Sequence, residues 1–155
     1  MRNIFRLALS FLLPLVVGGA SAYFTFNGLE DWYPTLVKPS FNPPNYVFGP
    51  VWTVLYLLMG YSFYQVLKAE PSMERTRAIL IFALQLLLNF WWSIFFFAFK
   101  RPEVAMVEIL SLWFSILWMI AAFRSVSPRA AYIQIPYALW VAFATLLNIS
   151  IWMLN

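Results

Sequence analysis

The sequence contains no cysteine and no histidine, and only 10% of its 155 residues are charged. Without cysteine there is no disulfide and no thiolate nucleophile. Without either residue, Cys/His zinc sites, Ser-His-Asp and Cys-His catalytic groups, and haem held by an axial His or Cys are excluded. Met and Tyr remain as rarer iron ligands, and no metal site is expected. There is no glycine-rich phosphate loop. A soluble domain carries about 25% charged residues, so this chain has too little polar surface to cover a globule in water.

Apolar sequence dominates instead: 63% of the residues are hydrophobic and the mean hydropathy is +0.77. Five apolar runs stand out, at approximately 4–26, 46–67, 78–99, 103–123 and 131–154. The shortest, 21 residues, extends about 31 Å as a helix, enough to cross a hydrocarbon core of ~30 Å. Backbone groups in lipid must bond within their own segment, so the pattern predicts an all-α bundle of five transmembrane helices in a single domain over residues 1–155.

The net charge of +4 does not mark a nucleic-acid surface, because the basic residues sit at the ends of the apolar runs. Arg2, Arg6, Lys68, Arg75, Arg77, Arg124 and Arg129 share one side, and Lys38, Lys100 and Arg101 the other. In a bacterial inner membrane this bias predicts a cytoplasmic N-terminus and an external first connection. The N-terminal segment imitates a signal peptide, with Ala20-Ser21-Ala22 as an A-x-A site. Its apolar character continues through Tyr23, Phe24 and Phe26 to spanning length, which favours an uncleaved helix. Gly18, Gly19, Ser21 and Ala22 then supply a close-packing face.

The connection between the first two runs is of another kind. Residues 32–52, "WYPTLVKPSFNPPNYVFGPVW", hold five prolines and one formal charge, Lys38. Interior prolines forbid a regular helix, and the aromatic content is too high for a solvated linker. Pro34, Pro39, Pro43 and Pro44 stiffen the segment and lower its ordering cost. It is read as a lid folded over the outer mouth of the bundle, built from Trp32, Tyr33, Pro39, Phe41, Pro43 and Pro44. Pro50 fits the opening turn of the helix carrying Trp52.

Polar groups inside a span face other helices or a cavity. The third run carries Gln85, Asn89 and Ser93 at successive spacings of four, with Trp92 and Phe96 on nearly the same face. The fifth carries Trp140, Ala144 and Asn148, and the second Trp52 and Tyr56. Running directions put Trp52 near the outer end, Asn89 and Trp140 near the midplane, and Trp92, Phe96 and Asn148 in the half nearer the first connection. Two readings follow: one pocket opening toward that connection, or interhelical hydrogen bonds and packing alone. Glu108 is the one acid well inside a span. It is either a substrate or proton site, or a packing residue in the first turns of its helix, protonated or capped by a neighbour, and structural use is favoured. An interfacial aromatic belt accounts for Trp32, Tyr33 and Trp152, but not for Trp52, Trp91, Trp92, Trp113, Trp118 and Trp140. Such walls suit flat apolar ligands.

These stretches resemble the translocator proteins, also called tryptophan-rich sensory proteins or peripheral-type benzodiazepine receptors. The resemblance rests on "WYPTLVKPSFNPPNYVFGPVWTVLY" (32–56), "LLLNFWWSIFFF" (86–97), "AMVEILSL" (105–112) and "IPYALWVAFATLLN" (135–148). It spans nearly the whole chain in order. It implies a five-helix bundle, commonly a homodimer, whose pocket takes porphyrins such as protoporphyrin IX, cholesterol in animal members, and synthetic isoquinoline carboxamides and benzodiazepines. Carried over by motif, ligand contacts fall on Trp52, Asn89, Trp92, Trp140, Ala144 and Asn148. Trp52 and Trp140 match tryptophans implicated in light-dependent porphyrin breakdown by bacterial members, the nearest thing to catalytic candidates in a chain not expected to be a conventional enzyme. Phe41 stands where many members have Trp. Ile149 and Met153 replace the Tyr and Arg of the animal cholesterol motif, so that motif is not supported here. No cofactor is required, and a bound tetrapyrrole would be held by stacking, shape and amide contacts.

Overall fold

The computed structural model describes residues 2–155, and every regular element among them is helical. α1 spans Arg2–Asp31, α2 Phe48–Lys68, α3 Met73–Ser93, α4 Pro102–Val126, α5 Pro128–Ile133 and α6 Ile135–Leu154. Five helical segments are long and apolar enough to cross a membrane, α5 and α6 together forming the fifth. This is a multi-pass integral membrane protein.

Local chemistry sets the helix ends. Ser72 accepts from the Arg75 N–H at 3.1 Å and Ser127 from that of Ala130 at 3.4 Å, each satisfying a donor that a helix start leaves free. Pro102 and Pro128 occupy first helical positions, where a missing N–H costs nothing. Two features depart from a plain five-run reading. The last span pauses at Gln134, two residues before Pro136, whose ring cannot follow a continuous helix. Gln134 uses the pause to donate its side-chain amide to the Leu58 carbonyl at 3.2 Å, tying the break to α2. At its other end, α3 passes into a π-helical turn over Ile94–Ala98. The wider turn buries Phe96 and Phe97 side by side.

Glycines set the closest helix approaches. A Cβ on Gly60 would come within 2.7 Å of the Phe11 ring, and one on Gly18 within 2.5 Å of the Tyr56 ring, so α1 and α2 approach to side-chain-free distance. Gly28 likewise admits the Phe97 backbone. Gly19 is exposed with nothing within 4 Å, so of the small residues expected to form one packing face it stands outside the contact.

Around the bundle α1 packs on α2 and α3, α3 on α4, and α4 on α6. Between α2 and α6 there is no extensive backbone contact among the described residues. Aromatic side chains bridge that gap: Trp52 stands edge-on to Tyr137 at 6.2 Å and Phe48 to Trp140 at 6.1 Å. The half of the bundle away from the first connection is solid, with Phe63 stacked on Phe82 at 4.1 Å and Phe82 on Phe123 at 6.0 Å. The other half is hollow.

Candidate functional site

The hollow is a chamber of about 560 Å³ with predominantly apolar walls. All eight residues singled out for ligand contact in the sequence border it: Trp52 and Tyr56 from α2, Asn89, Trp92 and Phe96 from α3 and its π-helical turn, and Trp140, Ala144 and Asn148 from α6. They converge because α2 enters the membrane at the end where α3 and α6 leave it.

Its floor is a chain of hydrogen bonds across three helices. Tyr56 Oη donates to Asn89 Oδ1 at 2.6 Å, Asn89 Nδ2 donates to Tyr137 Oη at 3.0 Å, and Tyr137 Oη donates to Gln85 Oε1 at 2.9 Å. Each phenol thereby finds the acceptor that burial in hydrocarbon demands. Trp52 lies over Tyr56 with ring centroids 5.5 Å apart, so the floor presents an aromatic face. Higher up, Trp92 Nε1 donates to Asn148 Oδ1 at 3.1 Å, and Asn148 Nδ2 donates to the Pro102 carbonyl at 2.9 Å, joining α3, α6 and α4. Both asparagines therefore serve as interhelical bonds and as wall, and the two readings of these amides hold together. Trp140 differs: its Nε1 is buried at the wall without an acceptor.

The roof comes from the first connection, though not from all the residues expected there. Tyr33, in a 3-10 turn at Tyr33–Thr35, is buried against Phe96 and Phe97 at 6.3 and 6.0 Å and lines the chamber. Its hydroxyl donates to Asn42 Oδ1 at 2.6 Å, and burial pushes the phenol up to about 12 against that bond's opposing effect. Asn45, Tyr46 and Phe48 complete the rim. Trp32 backs the roof from outside, edge-on to Phe96 at 5.5 Å. Pro39, Phe41, Pro43 and Pro44 do not border the chamber. Phe41 lies instead against Phe143 at 6.2 Å, half exposed. The prolines hold the path of the segment, and tyrosines cover the opening.

The first helix contributes more than the sequence suggested. Gly18, Ala22, Thr25 and Leu29 all face the chamber. Their spacings of four, three and four trace one helix face, the signal that identifies them in retrospect. Of the six tryptophans within spans, Trp91 and Trp118 point outward, while Trp113 donates to the Ala138 carbonyl at 3.1 Å. Glu108 is buried and lies outside the chamber lining, and neither carboxylate oxygen has a hydrogen-bond partner. A neighbouring cap is thus not what holds it. No group of acidic side chains among the described residues is arranged to hold a metal ion.

Fold and site together define a class: a five-span helical membrane protein with a tryptophan-lined internal chamber beneath its first connection. The chain belongs to the TspO/MBR family, whose model matches residues 10–153. It is 41% identical over 155 residues to the tryptophan-rich protein TspO of Chlorobaculum tepidum, covering 99% of this chain and 98% of that one. It is 37% identical to the protein of the same name from Archaeoglobus fulgidus, with 99% of each chain covered. Similarity extends to the human translocator protein, 40% identical over 124 residues, 78% of this chain and 73% of that one. The family expected from the proline-aromatic stretch is the one found.

Proposed function

We propose that this protein is a membrane receptor or carrier for planar apolar molecules, porphyrins such as protoporphyrin IX among them, bound in the chamber beneath the first connection. The observation that carries this reading is the convergence of Trp52, Tyr56, Asn89, Trp92, Phe96, Trp140, Ala144 and Asn148 on one space. A volume of about 560 Å³ falls within the ~300–1,000 Å³ of small-molecule sites. Aromatic faces stack on a flat ring system at little entropic cost, and sparse amides fix its orientation. A chain without His or Cys suits a metal-free tetrapyrrole, which asks for no axial ligand. The role is sensory or in transport, and requires no cofactor.

The reading includes a bacterial inner membrane with the N-terminus in the cytoplasm, supported by the basic residues gathered on that side. It also includes a homodimer, which chemical cross-linking in native membranes tests by a band at twice the monomer mass. Protoporphyrin IX should quench the tryptophan fluorescence of the purified protein along a saturable curve. A linear, non-saturating response would remove the binding reading.

A second reading is favoured by the buried indole N–H of Trp140 without an acceptor and by the stacking of Trp52 on Tyr56. Here both tryptophans act as electron or radical partners in light-dependent breakdown of a bound porphyrin. Under illumination porphyrin absorbance should then decay with the wild type and persist with Trp52→Phe and Trp140→Phe. Equal decay in all three counts against it.

A further inference from the structure

Most hydrogen bonds of the connection between α1 and α2 stay at home. Tyr33 donates to Asn42, the Thr35 hydroxyl to the Trp32 carbonyl, and Lys38 Nζ to the Leu36 carbonyl. Its long-range hydrogen bonds among the described residues all go to one side chain. Asn155 Oδ1 accepts from the Val37 N–H at 2.9 Å, and Asn155 Nδ2 donates to the Val37 carbonyl at 2.9 Å. A primary amide that meets both backbone groups of one residue copies the paired bonds of an antiparallel ladder, fixing orientation as well as distance. The same Nδ2 donates to the Ile151 carbonyl at 2.8 Å, one of the acceptors that a helix end leaves free. One side chain thus closes the last turn of α6 and holds the first connection between its two roofing parts, Tyr33 and Tyr46. Ile151, on that turn, lines the chamber.

We propose that Asn155 is the latch of the chamber mouth: a positioning residue that fastens the first connection to α6 and so sets how quickly molecules pass between the chamber and water. This rests on the chamber being the ligand site, as proposed above, but the latch itself is testable without a ligand. Both Val37 bonds lie at the exposed surface, where hydrogen bonds contribute modestly. Such a latch opens often, and its loss changes rates more than capacity.

The absence of native cysteine makes a direct test available. Ser93 is buried and borders the chamber, so Ser93→Cys places a single thiol inside. In the full chain in lipid nanodiscs, a charged methanethiosulfonate reagent, which does not cross hydrocarbon, reads access from water through the mouth. On this background Asn155→Leu should raise the labelling rate several-fold. Val37→Pro should do the same, because it deletes the loop's N–H while leaving the bond from Asn155 to Ile151, which separates the latch from fraying of α6. Amide exchange at Val37 should accelerate in Asn155→Leu. Protoporphyrin IX should then associate and dissociate faster together, with affinity little changed. Labelling at the wild-type rate in both variants overturns the proposal, whether or not Val37 exchange changes. If protoporphyrin IX does not bind the wild type, the ligand reading fails while labelling still decides the latch.

Discussion

Asn89 shows how one amide is used twice. It accepts from Tyr56, donates to Tyr137, and still borders the chamber. Asn89→Leu keeps approximate volume but leaves the Tyr56 hydroxyl buried without its acceptor, at a cost of about 1–2 kcal/mol. Denaturant titration in detergent should show that loss, and a smaller one for Tyr56→Phe, which removes the hydroxyl and leaves only the Asn89 Oδ1, at the chamber border, without its donor. Tyr33 provides a pH test outside the spans. Its phenol is pushed up to about 12 by burial, while an unfolded tyrosine titrates near 10. The folded state therefore holds the proton more tightly. Its contribution is complete below about pH 10 and is lost as pH rises from there through the folded value of about 12. Protease protection of the first connection should fall over that window in the wild type. In Tyr33→Phe the alkaline fall should be smaller.

At the scale of the element, the five runs were readable because length and hydropathy alone decide whether a segment crosses a membrane. The pause at Gln134 and the π-helical turn at Ile94–Ala98 were not. A buried glutamine and one extra residue per turn leave no periodic mark in so uniformly apolar a background. The connection was readable as a stiff lid from its prolines, but which side chains face inward depends on where its two 3-10 turns, Tyr33–Thr35 and Asn45–Val47, fall. That is why Tyr33 and Tyr46 reach the chamber and Phe41 does not. Helix α1 offers a paired test of close approach. Gly28→Ala would place a Cβ 2.8 Å from the Phe97 carbonyl oxygen, a backbone atom that cannot swing aside. It should destabilise by about 1–3 kcal/mol through overpacking. Gly19→Ala meets nothing and should be neutral or add up to about 1 kcal/mol from helix propensity. Thermal unfolding in one detergent compares them directly.

For the whole molecule, one half is packed and the other hollow, and the hollow half is where amides and indoles gather. That division was partly legible. Spacing of three and four within a run groups residues on a face, and antiparallel order assigns their depth, so the α2, α3 and α6 walls could be drawn from sequence. The α1 wall could not, because Gly18 and Ala22 serve helix contact and chamber equally well on paper. A filling substitution tests whether the hollow is where molecules bind. Ala144→Phe adds a ring into existing space rather than into packed core. It should abolish saturable protoporphyrin quenching while leaving thermal stability at or above the wild-type value. Loss of both would mean that Ala144 is needed for packing.

Trp140 borders the chamber on one side and, on the other, an apolar groove between α2 and α6 lined by Val54, Leu139 and Phe143. Where those helices part, the partition between interior and lipid is a single indole thick. The chamber is therefore less a sealed vessel than a room whose wall on this side is thin, and that wall stands against the bilayer. Lipids brominated along their acyl chains should quench Trp140 emission as strongly as that of the outward-facing Trp118. Much weaker quenching would mean that the groove stays closed to acyl chains.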